Sequence, residues 1–494
     1  MAAGEQYLRL AINLVVILCM SRLLTPSEIG IAVIGTGTMA IVLGLREFAT
    51  ADFVIQRPEV TRQDICTAFT IILVLTALIA SAVFGLAPWL AALYGEPGLA
   101  RFLRVMAVAG LIEALALPVV GLLRREMAFG MLALLYASGA AVTAIAVISL
   151  ALAGFSYMSF AWAALAAAAT TAALSIVLRP VLAGFRPAIG SWRSVLSFGG
   201  YNGASFTINR LYESLPQLVL GQMLPSSAVG LYNRASVVSD IPDKITLSSV
   251  LAIAFPALAE QSRNGSSLKA SYLLAVSHVT VLYWPAQVLL VLLAQPIVML
   301  LLGDQWLEMV PVLQVMAVAS FAWFPVALTA PVLLAVGANR DRTLADLVGR
   351  AVSAVVLCSS AAFGIMAMAA SKLVTIPFQM AVSFHFVRRH LQLGWGELAA
   401  SMAKSAIVTA ASASGPACLV LFSGMSNERP LASAAIALAL FATAWLAAVF
   451  LTRHPVLLEI RNLAGRMAGT RRPGRLLRLP VRLTGQAPKG GGAA

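Results

Sequence analysis

Long apolar runs dominate the chain, and short polar interruptions divide them. A membrane helix needs about 20 mostly apolar residues. The pattern predicts fourteen of them, near 6–24, 29–50, 66–93, 101–123, 130–153, 158–178, 195–222, 231–256, 271–301, 311–336, 343–364, 366–387, 399–423 and 431–452. The runs are continuous and rich in Ala and Leu. They lack the strict alternation that a membrane β-barrel needs. The breaks carry turn chemistry, as at Thr25-Pro26-Ser27, Gly95-Glu96-Pro97-Gly98 and Asn427-Glu428-Arg429-Pro430. No linker is long enough to hold a soluble domain. The expected fold class is an all-α polytopic membrane protein.

The pattern also repeats. Leu103-Arg104-Val105-Met106-Ala107-Val108-Ala109 recurs as Leu313-Gln314-Val315-Met316-Ala317-Val318-Ala319. A weaker echo links Leu24-Thr25-Pro26-Ser27-Glu28-Ile29-Gly30 to Leu224-Pro225-Ser226-Ser227-Ala228-Val229-Gly230. Both echoes imply a shift of six helices. Six is even, so the halves share one orientation and are related by an axis along the membrane normal. The expected organisation is an N-terminal lobe over 1–194, a C-terminal lobe over 195–398, two extra helices over 399–452 and a basic tail over 453–494.

Composition agrees and adds a charge question. Of 494 residues, 60% are apolar and 11% charged, against about 25% charged in an ordinary soluble domain. That excludes a cytosolic enzyme and a secreted disulfide scaffold. The net charge is +14. In a soluble protein such an excess suggests nucleic acid. Here position decides otherwise. Fourteen Lys or Arg fall in even-numbered linkers, five in odd-numbered ones and nine in the tail. Even linkers and both termini are therefore expected on the cytoplasmic side. Arg234 counts among the five as an ordinary linker charge. The four cysteines and four histidines form no metal-ligand spacing, and no metal or nucleic-acid partner is expected.

Ionisable residues inside apolar runs cost about 2.5–3.5 kcal/mol at a helix centre, so they are functional candidates. Arg9, Arg46, Arg210, Arg350 and Lys372 are candidates for a cationic substrate cavity. Glu47, Glu113, Glu213, Asp240, Asp243 and Lys244 are candidates for ion pairing or coupling. Arg210 and Glu213 stand i,i+3, and Asp240 and Lys244 i,i+4, so each pair shares a helix face. Lys372 has no acid at those spacings, and the acid four residues before Arg350, Asp346, stands near the membrane interface. Pro216, Pro242, Pro285, Pro296, Pro325, Pro331 and Pro377 interrupt predicted helices and are expected to kink them.

Several motifs, in order, resemble a known family. Ser21-Arg22-Leu23-Leu24-Thr25-Pro26 and Val54-Ile55-Gln56-Arg57 resemble segments of Wzx-type polysaccharide flippases, in the multidrug/oligosaccharidyl-lipid/polysaccharide exporter superfamily. So do Gly230-Leu231-Tyr232-Asn233-Arg234-Ala235, Phe255-Pro256-Ala257-Leu258 and Leu302-Gly303-Asp304-Gln305-Trp306. Pro216 departs from the family, which often has Asp there. The resemblance implies a flippase carrying polyprenyl-diphosphate-linked oligosaccharide across a bacterial inner membrane, for exopolysaccharide or O-antigen synthesis. Implied partners are the lipid-linked oligosaccharide, membrane lipids, and polymerase and export proteins; the flippase is expected to act as a monomer. No cofactor is expected, and the coupling ion is left open between H+ and Na+. Two alternatives remain: an ion-coupled multidrug exporter of the same fold, and a membrane glycan polymerase or transferase. A polymerase or transferase usually needs a large outer loop or a carboxylate and histidine set, and neither is found.

Overall fold

The computed structural model describes residues 2–46, 61–179, 187–188, 190, 210–246, 267–423 and 430–457. Every regular element among them is helical. The first half contains α1 (Ala2–Leu23), α2 (Pro26–Gly44), α3 (Arg62–Leu93), α4 (Gly98–Ala114), α5 (Leu117–Arg125), α6 (Phe129–Leu152) and α7 (Met158–Leu178). Helical residues 210–223 lead into α8 (Ser226–Ser239). There follow α9 (Lys269–Leu292), α10 (Ala294–Leu301), a 3-10 turn (Asp304–Met309), α11 (Val310–Ala319) and α12 (Phe324–Ala335). The chain continues through α13 (Asn339–Ala361), α14 (Ile365–Leu391), α15 (Trp395–Ser423) and α16 (Pro430–Leu451). Nine helical stretches among the described residues, with Asp304–Ala335 taken as one, are long and apolar enough to cross a membrane, and α4 with α5 makes a tenth, bent by 41°. Parts of the predicted spans 29–50, 195–222 and 231–256 lie outside the described residues.

Local chemistry explains the boundaries. Thr25 caps α2 through a capping box: its hydroxyl accepts the Glu28 N–H, and the Glu28 carboxylate accepts the Thr25 N–H at 2.8 Å. Pro26 then occupies the first turn, where its missing N–H costs nothing. Pro118 opens α5 and Pro325 opens α12 by the same rule. Two predicted spans are thus broken helices: 101–123 becomes α4 and α5, and 311–336 becomes α11 and α12, joined by a 3-10 turn at Ser320–Ala322. The repeated heptapeptides end within α4 and at the end of α11, just ahead of these breaks. Pro285 and Pro377 sit inside α9 and α14 without splitting them.

The halves meet at the second echo. One buried cluster joins Met20, Ile29, Ile34 and Leu103 to Val229, Tyr232, Trp306 and Leu313. At its end α2 and α8 touch backbone to backbone. A Cβ on Gly30 would stand 1.8 Å from the Ser226 carbonyl oxygen, and one on Gly230 would stand 2.0 Å from that of Pro26. The two contacts are images of each other, because Gly30 and Gly230 match in the echo, as do Pro26 and Ser226. Ser27 Oγ and Ser226 Oγ lie 2.7 Å apart across the seam.

The helix pair α15 and α16 docks on α9. The buried His454 ring follows α16. Its Nε2 lies 3.1 Å from Ser277 Oγ and 3.2 Å from Ser405 Oγ, and its Nδ1 accepts the Val456 N–H at 3.2 Å. Burial, with the like charges of His278 and Lys404, pushes its pKa from the usual 6.5 down to about 4.

Candidate functional site: cavity, seam and intramembrane charges

A cavity of about 750 Å³ lies within the first half. Ala and Gly on α4, α6 and α7 make the room, among them Gly110, Gly139, Ala140, Ala164 and Ala168. Its polar wall is Asn13, Arg46, Glu113, Arg124, Tyr136, Thr143 and Thr171. Glu113 stands at the end of α4, beside the break, and Arg46 just past the end of α2. They form an ion pair at 2.6 Å, with Arg46 buried and Glu113 half-exposed toward the cavity. Arg46 Nε is buried without a hydrogen-bond partner. Arg124 donates to the Tyr136 hydroxyl at 2.9 Å. Arg46 therefore reaches the cavity already neutralised by Glu113.

The second half places its charges differently. Arg210 and Glu213 pair at 3.2 Å on an exposed face. Asp240 and Lys244 do not close an ion pair with each other. The Asp240 carboxylate feels Lys372 of α14 and Lys244 instead. Lys372 Nζ reaches Ser236 Oγ at 3.5 Å and Met316 Sδ at 3.8 Å, and lies 5.5 Å from the Tyr232 ring centre. Arg350 stacks over Tyr212 at 5.5 Å. The Tyr212 hydroxyl accepts from Gln379, which also donates to Ser353 at 2.7 Å. Arg350 and Lys372 thus rest on separate tyrosines, and neither lines the described cavity. Asp243 lies beside the Trp323 indole, and its Oδ1 is buried without a partner. Glu47 and the side chain of Arg9 lie outside the described residues.

Sequence reasoning missed Arg234. It sits inside α8, not in a linker, and is only 6% exposed. Its guanidinium lies over the Trp306 ring, 6.0 Å from the centroid. The helix start explains the error: the predicted span began at 231, five residues late, which left Arg234 at a boundary. The Gly-Leu-Tyr-Asn-Arg-Ala string was the available signal.

The seam is held by an uneven latch. The last carbonyls of α1 have no intrahelical donors, and Pro26 offers none. The turn at Gly303, with φ at 103°, aims Gln305 and Trp306 at them. Gln305 Nε2 donates to Ser21 O at 2.6 Å and Leu24 O at 3.1 Å, and Trp306 Nε1 donates to Ser21 O at 2.7 Å. Arg22 donates back across the seam to Leu300 O. The second half of the chain thus caps a helix of the first.

A family model described as polysaccharide biosynthesis protein matches residues 19–311, more than half of the chain and across the whole seam. The chain belongs to that family. It is 22% identical over 311 residues to the lipopolysaccharide biosynthesis protein WzxC of Escherichia coli K12, covering 63% of each chain. It is 26% identical over 327 residues to the succinoglycan biosynthesis transport protein ExoT of Rhizobium meliloti, covering 64% of each. The chain therefore spans just under two thirds of the length of these relatives. Its fold is like that of the lipid II flippase MurJ in an inward closed conformation, with a TM-score of 0.72 at 10% identity, covering 91% of this chain and 98% of that one. An inward-facing multidrug resistance MATE transporter of the MOP superfamily follows at 0.61 and 14% identity, covering 78% and 94%. The polytopic helical fold class is thereby established.

Proposed function

We propose that this protein flips polyprenyl-diphosphate-linked oligosaccharide across a bacterial inner membrane, by alternating access between its two halves. The observation that carries the reading is the seam. Two helices related by an internal repeat cross backbone to backbone, inside the segment that matches a polysaccharide biosynthesis family. A contact made of two glycines and a few hydrogen bonds separates with little rearrangement of either half. A diphosphate cannot cross hydrocarbon unaided, and Arg46, Arg234, Arg350 and Lys372 are the cations that would meet it. Glu113, Asp240 and Asp243 are the carboxylates available to a coupling ion, H+ or Na+. The charge asymmetry of the linkers supports both termini in the cytoplasm, which puts the sealed end outside. A monomer suffices, because one chain supplies both sides of the seam, and no bond is made or broken in the substrate. A glycan polymerase and export proteins would receive the product.

The test is reconstitution of the full chain in vesicles with a fluorescent polyprenyl-diphosphate oligosaccharide. Expected is protein-dependent loss of protection from an added reductant; equal protection in empty and loaded vesicles overturns the reading. Drug export by the same fold is the second reading, favoured by the MATE likeness in fold. It needs an anionic cavity, whereas the described one holds two guanidinium groups and one carboxylate. Reversing Lys372 to Glu separates the two: lost glycan flipping supports the first, and unchanged flipping argues against it.

A further inference from the structure

Five basic side chains in the described residues meet a carboxylate. Arg46 meets Glu113, Arg179 meets Glu126, Arg210 meets Glu213, Lys269 meets Glu397 and His390 meets Asp341. Arg234 is the buried exception: among the described residues no carboxylate contacts it. Its Nε is buried without a hydrogen-bond partner, and its guanidinium lies over the face of Trp306. A guanidinium in that state gains most from an incoming anion, because bidentate phosphate binding is stronger than a contact with a ring face.

Its position matters as much as its charge. Gly230 and Arg234 stand i,i+4, so one face of α8 presents the backbone contact with Pro26 and, one turn on, the guanidinium. Trp306, on which Arg234 rests, holds the Ser21 carbonyl of α1. Arg234 therefore rests on one of the devices that close the seam and stands one helical turn from the other. The two strings that place these residues, Gly230 to Ala235 and Leu302 to Trp306, are far apart in sequence and meet only here.

We propose that Arg234 is the anion sensor of the seam: a diphosphate that binds it draws the guanidinium off Trp306 and frees the Trp306–Ser21 latch. Arg234 is then a binding residue and Trp306 a positioning residue. The proposal rests on the flippase reading for the source of the diphosphate, but not for the wiring.

The experiment reads seam closure directly. Ser27→Cys and Ser226→Cys are placed together in a chain whose native cysteines are removed by Cys19→Ala, Cys66→Ala, Cys358→Ala and Cys418→Ala. Oxidative cross-linking is timed in vesicles with polyprenyl diphosphate, with inorganic pyrophosphate, and with sodium sulfate at matched ionic strength. Expected is severalfold slower cross-linking with the lipid, a response kept by Arg234→Lys and abolished by Arg234→Gln. Trp306→Phe keeps an aromatic face and loses the N–H, so cross-linking slows before any anion is added. A response to pyrophosphate as well marks diphosphate recognition as such; a response to the lipid alone marks a headgroup delivered from the membrane. No response in the parent chain, or a full response in Arg234→Gln, overturns the proposal. Pyrophosphate affinity measured on the same purified variants guards against a folding defect: tenfold weaker binding by Arg234→Gln but not Arg234→Lys is expected, and equal binding overturns the proposal. Flipping measured in parallel keeps the two readings apart. A chain that senses diphosphate but flips nothing sinks the function and leaves the sensor standing.

Discussion

Adding one methyl group at the seam should open it. In Gly30→Ala the new Cβ would sit 1.8 Å from the Ser226 carbonyl oxygen, which is about 1.5 Å short of ordinary contact. The obstacle is backbone, so no rotamer change relieves it. The helices must separate, and overpacking of this kind costs about 1–3 kcal/mol. The strain exists only while the seam is closed. It therefore shifts the closed-to-open equilibrium by about 5- to 150-fold. Gly230→Ala should act alike, since Pro26 O is 2.0 Å from its Cβ position. Gly85→Ala is the control, with nothing within 4 Å. Spin labels on the starts of α2 and α8 give the distance distribution by pulsed resonance. Expected is growth of a longer distance in both seam variants and none in the control. An unchanged distribution in Gly30→Ala would refute the backbone seam as the closing contact.

Two further outcomes follow from buried charges. Glu113→Gln leaves Arg46 buried without its carboxylate; since Glu113 is 45% exposed, the loss is about 1–3 kcal/mol, below the figure for a fully buried pair. A double-mutant cycle with Arg46→Gln, read by thermal unfolding, should show coupling, and additive effects would contradict the pair. For His454 the native state holds the ring neutral down to about pH 4, while the unfolded chain protonates near 6.5. The unfolded state binds more protons between those values, so stability falls as pH drops through that window. The thermal midpoint should fall more between pH 7 and pH 5 in the parent than in His454→Gln; equal falls would dismiss the ring as the cause.

Some of this was legible in one dimension. Membrane spans follow from hydropathy, because lipid tests each segment alone. The helix start at Thr25-Pro26-Ser27-Glu28 follows from capping chemistry within four residues. Even the seam was foreshadowed, since Leu24–Gly30 and Leu224–Gly230 resemble each other before anything shows that they touch. Pro118 is the readable sign of the break in the span 101–123. What stayed hidden was partnership. Arg46 and Glu113, 67 residues apart, neutralise each other because the end of α2 meets the break after α4. Lys372 owes its counter-charge to Asp240 on another helix, and Trp306 reaches a carbonyl 285 residues away. Hydropathy marks a charge as costly inside a membrane, but its partner is set by which helices pack together. The sequence alone determined the membrane class, the repeat and the short list of charges. Tertiary structure decided which of those charges are already satisfied, and it left Arg234 against the latch because long-range packing, not local pattern, sets what a buried side chain meets.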